Sequence, residues 1–64
     1  MERLTPKQAR LLAGLTQEEM AKELDIYINT YINKEKGTTR FFVDEALKFC
    51  QVVNQPIEKI IFTK

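Results

Sequence analysis

The run Gly14-Leu15-Thr16-Gln17-Glu18-Glu19-Met20-Ala21-Lys22-Glu23-Leu24, followed by Asp25-Ile26 and a second helix-like run closing at Gly37, constrains this chain more than any other stretch. Thr16 stands three residues before Glu19, the spacing of a capping box. The Thr16 hydroxyl can accept from the Glu19 N–H, and the Glu19 carboxylate can accept from the Thr16 N–H. Leu15, before the cap, and Met20, one turn inside, occupy the positions of a hydrophobic staple. Met20, Ala21 and Leu24 recur at helical spacing and form an inward stripe. Ala21 is small where two helices would approach closely. The run therefore predicts a short helix, a tight turn and a second short helix.

The remaining segments are punctuated in the same way. Thr5 is a candidate N-cap with Pro6 at the first helical position, where its missing N–H is no loss. Lys7 to Ala13 continues that helix, with Leu4, Ala9, Leu11 and Leu12 as expected core residues, and Gly14 ends it. Asp25 takes the turn, and a third helix runs from Tyr27 or Ile28 to Glu35 or Lys36. Gly37-Thr38-Thr39-Arg40 is a loop. Phe41-Phe42-Val43-Asp44-Glu45 opens a fourth helix, in which Val43, Ala46, Leu47, Cys50 and Val53 recur at intervals of three and four. Phe41 and Phe42 are adjacent, so one is expected buried and the other half-exposed. Asn54 is a left-handed cap, and Pro56 starts a fifth short helix with Ile57, Ile60, Ile61 and Phe62 apolar. The expected architecture is all-α, with five short helices in one unit spanning 1–64.

Composition narrows the function classes. With 64 residues, 44% hydrophobic and 30% charged, the chain reads as one small globular domain in which nearly every apolar position must contribute. No apolar run approaches the roughly 20 residues that span a bilayer, and Met1 to Pro6 lacks an apolar signal core. Cys50 stands alone and reads as a small buried hydrophobe in a reducing cytoplasm. There is no histidine, so a zinc site of ordinary composition is nearly excluded, and no cofactor or small-molecule ligand is evident. No nucleophile–base pair or glycine-rich phosphate loop suggests an enzyme. Net charge is only +1, but it is unevenly placed. Glu18, Glu19, Glu23 and Asp25 cluster early, whereas Lys34, Lys36 and Arg40 follow residue 33 with Glu35 alone against them.

The words Ala13-Gly14-Leu15-Thr16-Gln17-Glu18-Glu19-Met20-Ala21, Leu24, Lys34-Glu35-Lys36-Gly37 and Asn54-Gln55-Pro56-Ile57-Glu58-Lys59-Ile60-Ile61-Phe62 together resemble the Cro/CI phage-repressor type of helix-turn-helix, the XRE family. The likeness covers Leu4 to Phe62. It implies a five-helix, lambda-repressor-like DNA-binding domain of a phage or bacterial transcription regulator. In that scheme the helix from 17 to 24 crosses the DNA backbone and the helix from about 28 to 35 reads base edges. The resemblance carries base contacts onto Ile28, Asn29, Ile32 and Asn33. Backbone contacts fall on Gln17, Tyr27, Lys36, Thr38, Thr39 and Arg40, and a structural ion pair on Arg10 and Glu35. Three positions depart from the family pattern: Asp25 where Gly is usual, Tyr27 where Ser or Thr caps the recognition helix, and Lys34 where an aliphatic residue is common.

The residue types suit that assignment independently. Asn29 and Asn33 lie one turn apart on one helical face, and an Asn amide can pair bidentately with adenine N6 and N7, while Ile28 and Ile32 can meet thymine methyls. Between two extremes for this face (all four residues outward, or Ile28, Tyr31 and Ile32 on the core side with only the two Asn exposed), the expected arrangement is mixed: Tyr31 inward, Ile28 partly covered and Ile32 at the rim. Lys34 is expected to cover apolar surface with its methylenes while its ammonium reaches water. Lys36 and Arg40 are the best phosphate candidates. Ile57, Ile61 and Phe62 could close the core or form a candidate patch for a homodimer, which would bind two half-sites about one helical turn apart. The expected partner is an operator in double-stranded DNA, with no membrane. The competing expectation is a protein-interaction module on the same fold, an antirepressor or a repressor partner.

Overall fold

The computed structural model describes residues 2–62, which form α1 (Pro6–Leu12), α2 (Gln17–Glu23), α3 (Ile28–Lys36) and α4 (Val43–Val53), then a single 3-10 turn (Ile57–Lys59). The chain is thus all-α among the described residues, with four α-helices where five helices were expected. Backbone pairing stops the fifth. Ile60 is extended and forms an isolated parallel bridge with Leu4: the Leu4 N–H donates to the Lys59 carbonyl, and the Ile61 N–H donates to the Leu4 carbonyl, both at 2.8 Å. No helix among the described residues is long and apolar enough to cross a membrane.

Both ends of the helices are set locally. Thr5 and Gln8 form a reciprocal capping box on α1, as Thr16 and Glu19 do on α2. The fourth helix begins two residues later than expected. Phe42 precedes it, and its N–H donates to the Glu45 carboxylate at 2.8 Å. All four helices end in one way. A left-handed residue follows the last turn: Gly14, Asp25, Gly37 or Asn54. The next N–H then reaches back to a carbonyl five residues earlier, as in Leu15 to Arg10 and Ile26 to Ala21. Asp25 holds φ 59°, the region its helix end requires and that Gly reaches more easily.

The core gathers Ala9, Met20, Ala21, Leu24, Tyr31, Phe49, Cys50, Val53 and Ile60. Beside it, Phe41 meets Tyr31, Phe49 and Phe62 edge-on, with ring centroids 6.2, 5.7 and 5.1 Å away. Several core expectations need correction. Leu11 and Leu12 are exposed, because α1 turns Pro6, Ala9 and Arg10 inward instead. On α4 Val43 and Leu47 face outward, and Phe49 takes the central place. Phe41 is half-buried and Phe42 is exposed. Burial, and secondarily the charge of Glu58, pushes the Cys50 thiol up, away from the reactive thiolate.

The caps give a test of opposite signs. Thr16→Ala removes a capping bond and should cost about 1 kcal/mol in urea unfolding. Tyr27 caps α3 with no side-chain bond, so Tyr27→Ser should add about 0.5–1 kcal/mol in the same assay.

Candidate functional site

The carboxylate of Glu35, near the end of α3, is the point on which three helices converge. Its Oε2 accepts from Arg10 Nε at 2.8 Å and from the Tyr31 hydroxyl at 2.6 Å. Its Oε1 accepts from Gln17 Nε2 at 2.8 Å and from Arg10 Nη2 at 3.3 Å. Arg10 Nη1 donates to the Leu15 carbonyl at 2.8 Å, so the same guanidinium also holds the turn between α1 and α2. The Arg10 and Glu35 side chains are only 7% and 4% exposed, and no buried side-chain polar atom lacks a partner among the described residues. Burial pushes the Glu35 carboxyl up. The bonds from Arg10, Tyr31 and Gln17 outweigh it and hold the group below the ordinary carboxylate value. The Tyr31 hydroxyl is kept protonated, first by burial and then by its bond to Glu35.

This anchoring fixes which face of α3 looks out. Tyr31 is fully buried and Lys34 is buried beside it. Asn29, Thr30, Asn33 and Lys36 are exposed. Ile28 and Ile32 are half-buried, and Ile28 packs against the core. This is the mixed arrangement expected of the face: both Asn side chains are exposed, and the two Ile form a half-covered flank. Thr30 belongs to this outer face and was missed. At about 100° per residue, placing Tyr31 and Lys34 inward would have swung Thr30 outward.

The loop after α3 presents Thr38, Thr39 and Arg40, all exposed, beside Lys36. The backbone N–H groups of Thr38 and Thr39 both donate to the Asn33 carbonyl, at 2.9 and 3.3 Å. Lys34 does not reach water. It is 6% exposed, donates to the Arg40 carbonyl at 2.8 Å, pairs with Glu45 Oε1 at 2.9 Å, and lies 4.3 Å from the Phe42 ring centroid. A buried ammonium needs such partners, and the loop before α4 and α4 itself supply them.

Other expected residues lie apart from this surface or serve elsewhere. One N–H of the Gln17 amide donates to Glu35, and the side chain is half-buried. Tyr27, at the start of α3, is 85% exposed and lines the shallow groove between α2 and α3 with Lys22, Ile26 and Thr30. Ile57 and Ile61 are exposed, but Phe62 turns inward, with its ring 5.5 Å from that of Phe49. The three residues therefore do not make one continuous outward patch. No family model, no curated protein and no solved structure compared with this chain gives a match.

Because the folded Glu35 value lies below the ordinary one, its contribution is fully present above the ordinary carboxylate value and is lost as pH falls through the folded value. Urea unfolding followed from pH 7 into acid, on the order of pH 2–3, should show stability falling once pH drops below about 4.3. A variant with Arg10→Met, Tyr31→Phe and Glu35→Met should lose part of that acid slope. By contrast, Glu35→Ala alone strands Arg10 and should cost about 3–5 kcal/mol at neutral pH.

Proposed function

We propose that this chain is a sequence-specific DNA-binding regulator with a lambda-repressor-like helix-turn-helix fold, laying α3 in the major groove. One observation carries the reading: Asn29 and Asn33, one turn apart, are both exposed on the outer face of a helix whose inner face is anchored at Glu35. An Asn amide offers a donor and an acceptor that match adenine N6 and N7. Thr30 extends the polar face, and the half-covered Ile28 and Ile32 leave apolar edge for thymine methyls. Lys36, Arg40 and the Thr38 and Thr39 hydroxyls stand beside that face, where the flanking phosphates would pass. Tyr27 at the start of the helix adds an exposed hydroxyl for the same backbone.

The reading carries with it a cytoplasmic location and two copies on two half-sites. A second reading, a protein-interaction module, draws on the half-exposed Ile28 and Ile32 beside the exposed Tyr27 ring. Duplexes selected from a random library, titrated by fluorescence anisotropy at low salt, separate the two. Asn29→Ala and Asn33→Ala should each weaken selected-site binding by about 1–3 kcal/mol while the thermal melt stays unchanged. Lys36→Ala should weaken all duplexes alike and lower the salt slope by about one. A folded sample that selects no duplex would sink the regulator reading. Loss of a protein complex in the Asn variants, with duplex binding untouched, would favour the interaction module.

A further inference from the structure

We propose that Lys34 is a positioning residue that locks the loop 37–42 onto α3, so that the Asn-bearing face and the Arg40 side chain approach DNA as one rigid body. The functional half of this inference rests on the DNA reading; the mechanical half does not. Loops flanking a helix end are ordinarily free to fray, because few buried contacts hold them. Here the loop is tied at both ends of its course. Thr38 and Thr39 donate to the Asn33 carbonyl, and Lys34, one residue further along α3, donates to the Arg40 carbonyl at 2.8 Å. The same ammonium takes Glu45 of α4 as counterion at 2.9 Å, with the Phe42 ring 4.3 Å away. Glu45 in turn accepts the Phe42 N–H, which fixes where the loop ends and α4 begins.

Lys34, one of the basic residues clustered after residue 33, is therefore turned away from solvent. Its work is to present a different cation. Arg40 is exposed, and its backbone is the part that Lys34 grips. A side chain whose backbone is fixed loses less freedom on meeting a phosphate, so more of its attraction survives as affinity. Thr38 and Thr39 gain in the same way.

The test uses Lys34→Met together with Glu45→Gln. This pair removes both charges and leaves the Gln carbonyl able to accept the Phe42 N–H. Limited trypsin digestion reads the mechanical half: cleavage after Arg40 should quicken about tenfold or more relative to cleavage after Lys48 within α4, since a charged hydrogen bond holding the loop is lost. An unchanged cleavage ratio overturns the clamp. A double-mutant cycle reads the functional half. Arg40→Ala should lower the salt slope by about one in the parent chain but change it little in the Lys34→Met/Glu45→Gln background. Equal effects of Arg40→Ala in both backgrounds overturn the positioning role while leaving DNA binding itself intact. A parent chain that binds no duplex overturns the DNA reading and the phosphate role with it, and the digestion ratio then decides the clamp alone. Should the paired variant lose its thermal transition, Lys34→Leu with Glu45→Gln, which removes the same donor and both charges with a branched apolar chain, provides the same two readouts.

Discussion

One carboxylate organises this molecule. Glu35 is nearly enclosed, and the four bonds it accepts come from three parts of the helical framework: two from the guanidinium of α1, one from the first residue of α2, and one from a tyrosine one turn back on α3. An enclosed charge with a missing partner costs several kcal/mol, and a domain of this length holds only roughly 3–10 kcal/mol in all. The three helices must therefore meet at one angle and one rotation, because any slip strands a charge. Apolar contacts tolerate small rotations far better. Such a hub need not add much net free energy, since desolvation offsets attraction. Its effect is geometric: it fixes which residues of α3 are hidden and which are shown.

Lys34 extends that logic one residue away. Successive residues on a helix point about 100° apart, so Lys34 and Glu35 serve different neighbours. Glu35 looks toward α1 and α2; Lys34 looks toward the loop and α4. Two adjacent residues of opposite charge thus tie α3 to all the rest of the framework. The partition also explains the apolar arrangement. With polar anchors at the end of α3, the aromatic rings of Phe41, Phe49 and Phe62 close the side where the loop passes into α4.

What the sequence revealed and what it hid divide along the range of the interactions. Both capping boxes depend on groups three residues apart, and the left-handed helix ends on groups five apart. Thr5, Thr16, Gly14, Gly37 and Asn54 could be read directly for that reason. The rotation of α1 could not. Periodicity favours Leu11 and Leu12 inward, but the pairing of Arg10 with a residue 25 positions away turns the helix so that both leucines face out. Phe49 escaped for the same reason, because its place depends on rings contributed by Phe41 and Phe62. The short fifth element depends on Ile60 finding Leu4 across nearly the whole chain. On α3, Asn29 and Asn33 were legible as a pair on one face. The part-covered state of Ile28 and Ile32 was legible as well, whereas the exposure of Thr30 and the burial of the Lys34 ammonium required knowing where Glu35 points.

The charge distribution bears on how such a surface would work. A net charge of +1 gives little long-range attraction for a polyanion, and Glu18 and Glu19 at the start of α2 oppose it nearby. On the DNA reading, Lys36 and Arg40 are the cations set beside the reading face, so non-specific affinity would be weak and would fade quickly with salt. Discrimination would then fall on the amides, whose hydrogen bonds to base edges are insensitive to net charge but highly sensitive to position. A surface of that kind needs rigid presentation more than it needs charge. The two buried ionic clusters at the end of α3 provide it, one holding the helix and the other holding the loop. Doubling the contacts by placing two copies on adjacent half-sites would multiply a modest single-copy preference into useful selectivity, with each copy contributing its own rigidly held pair of amides.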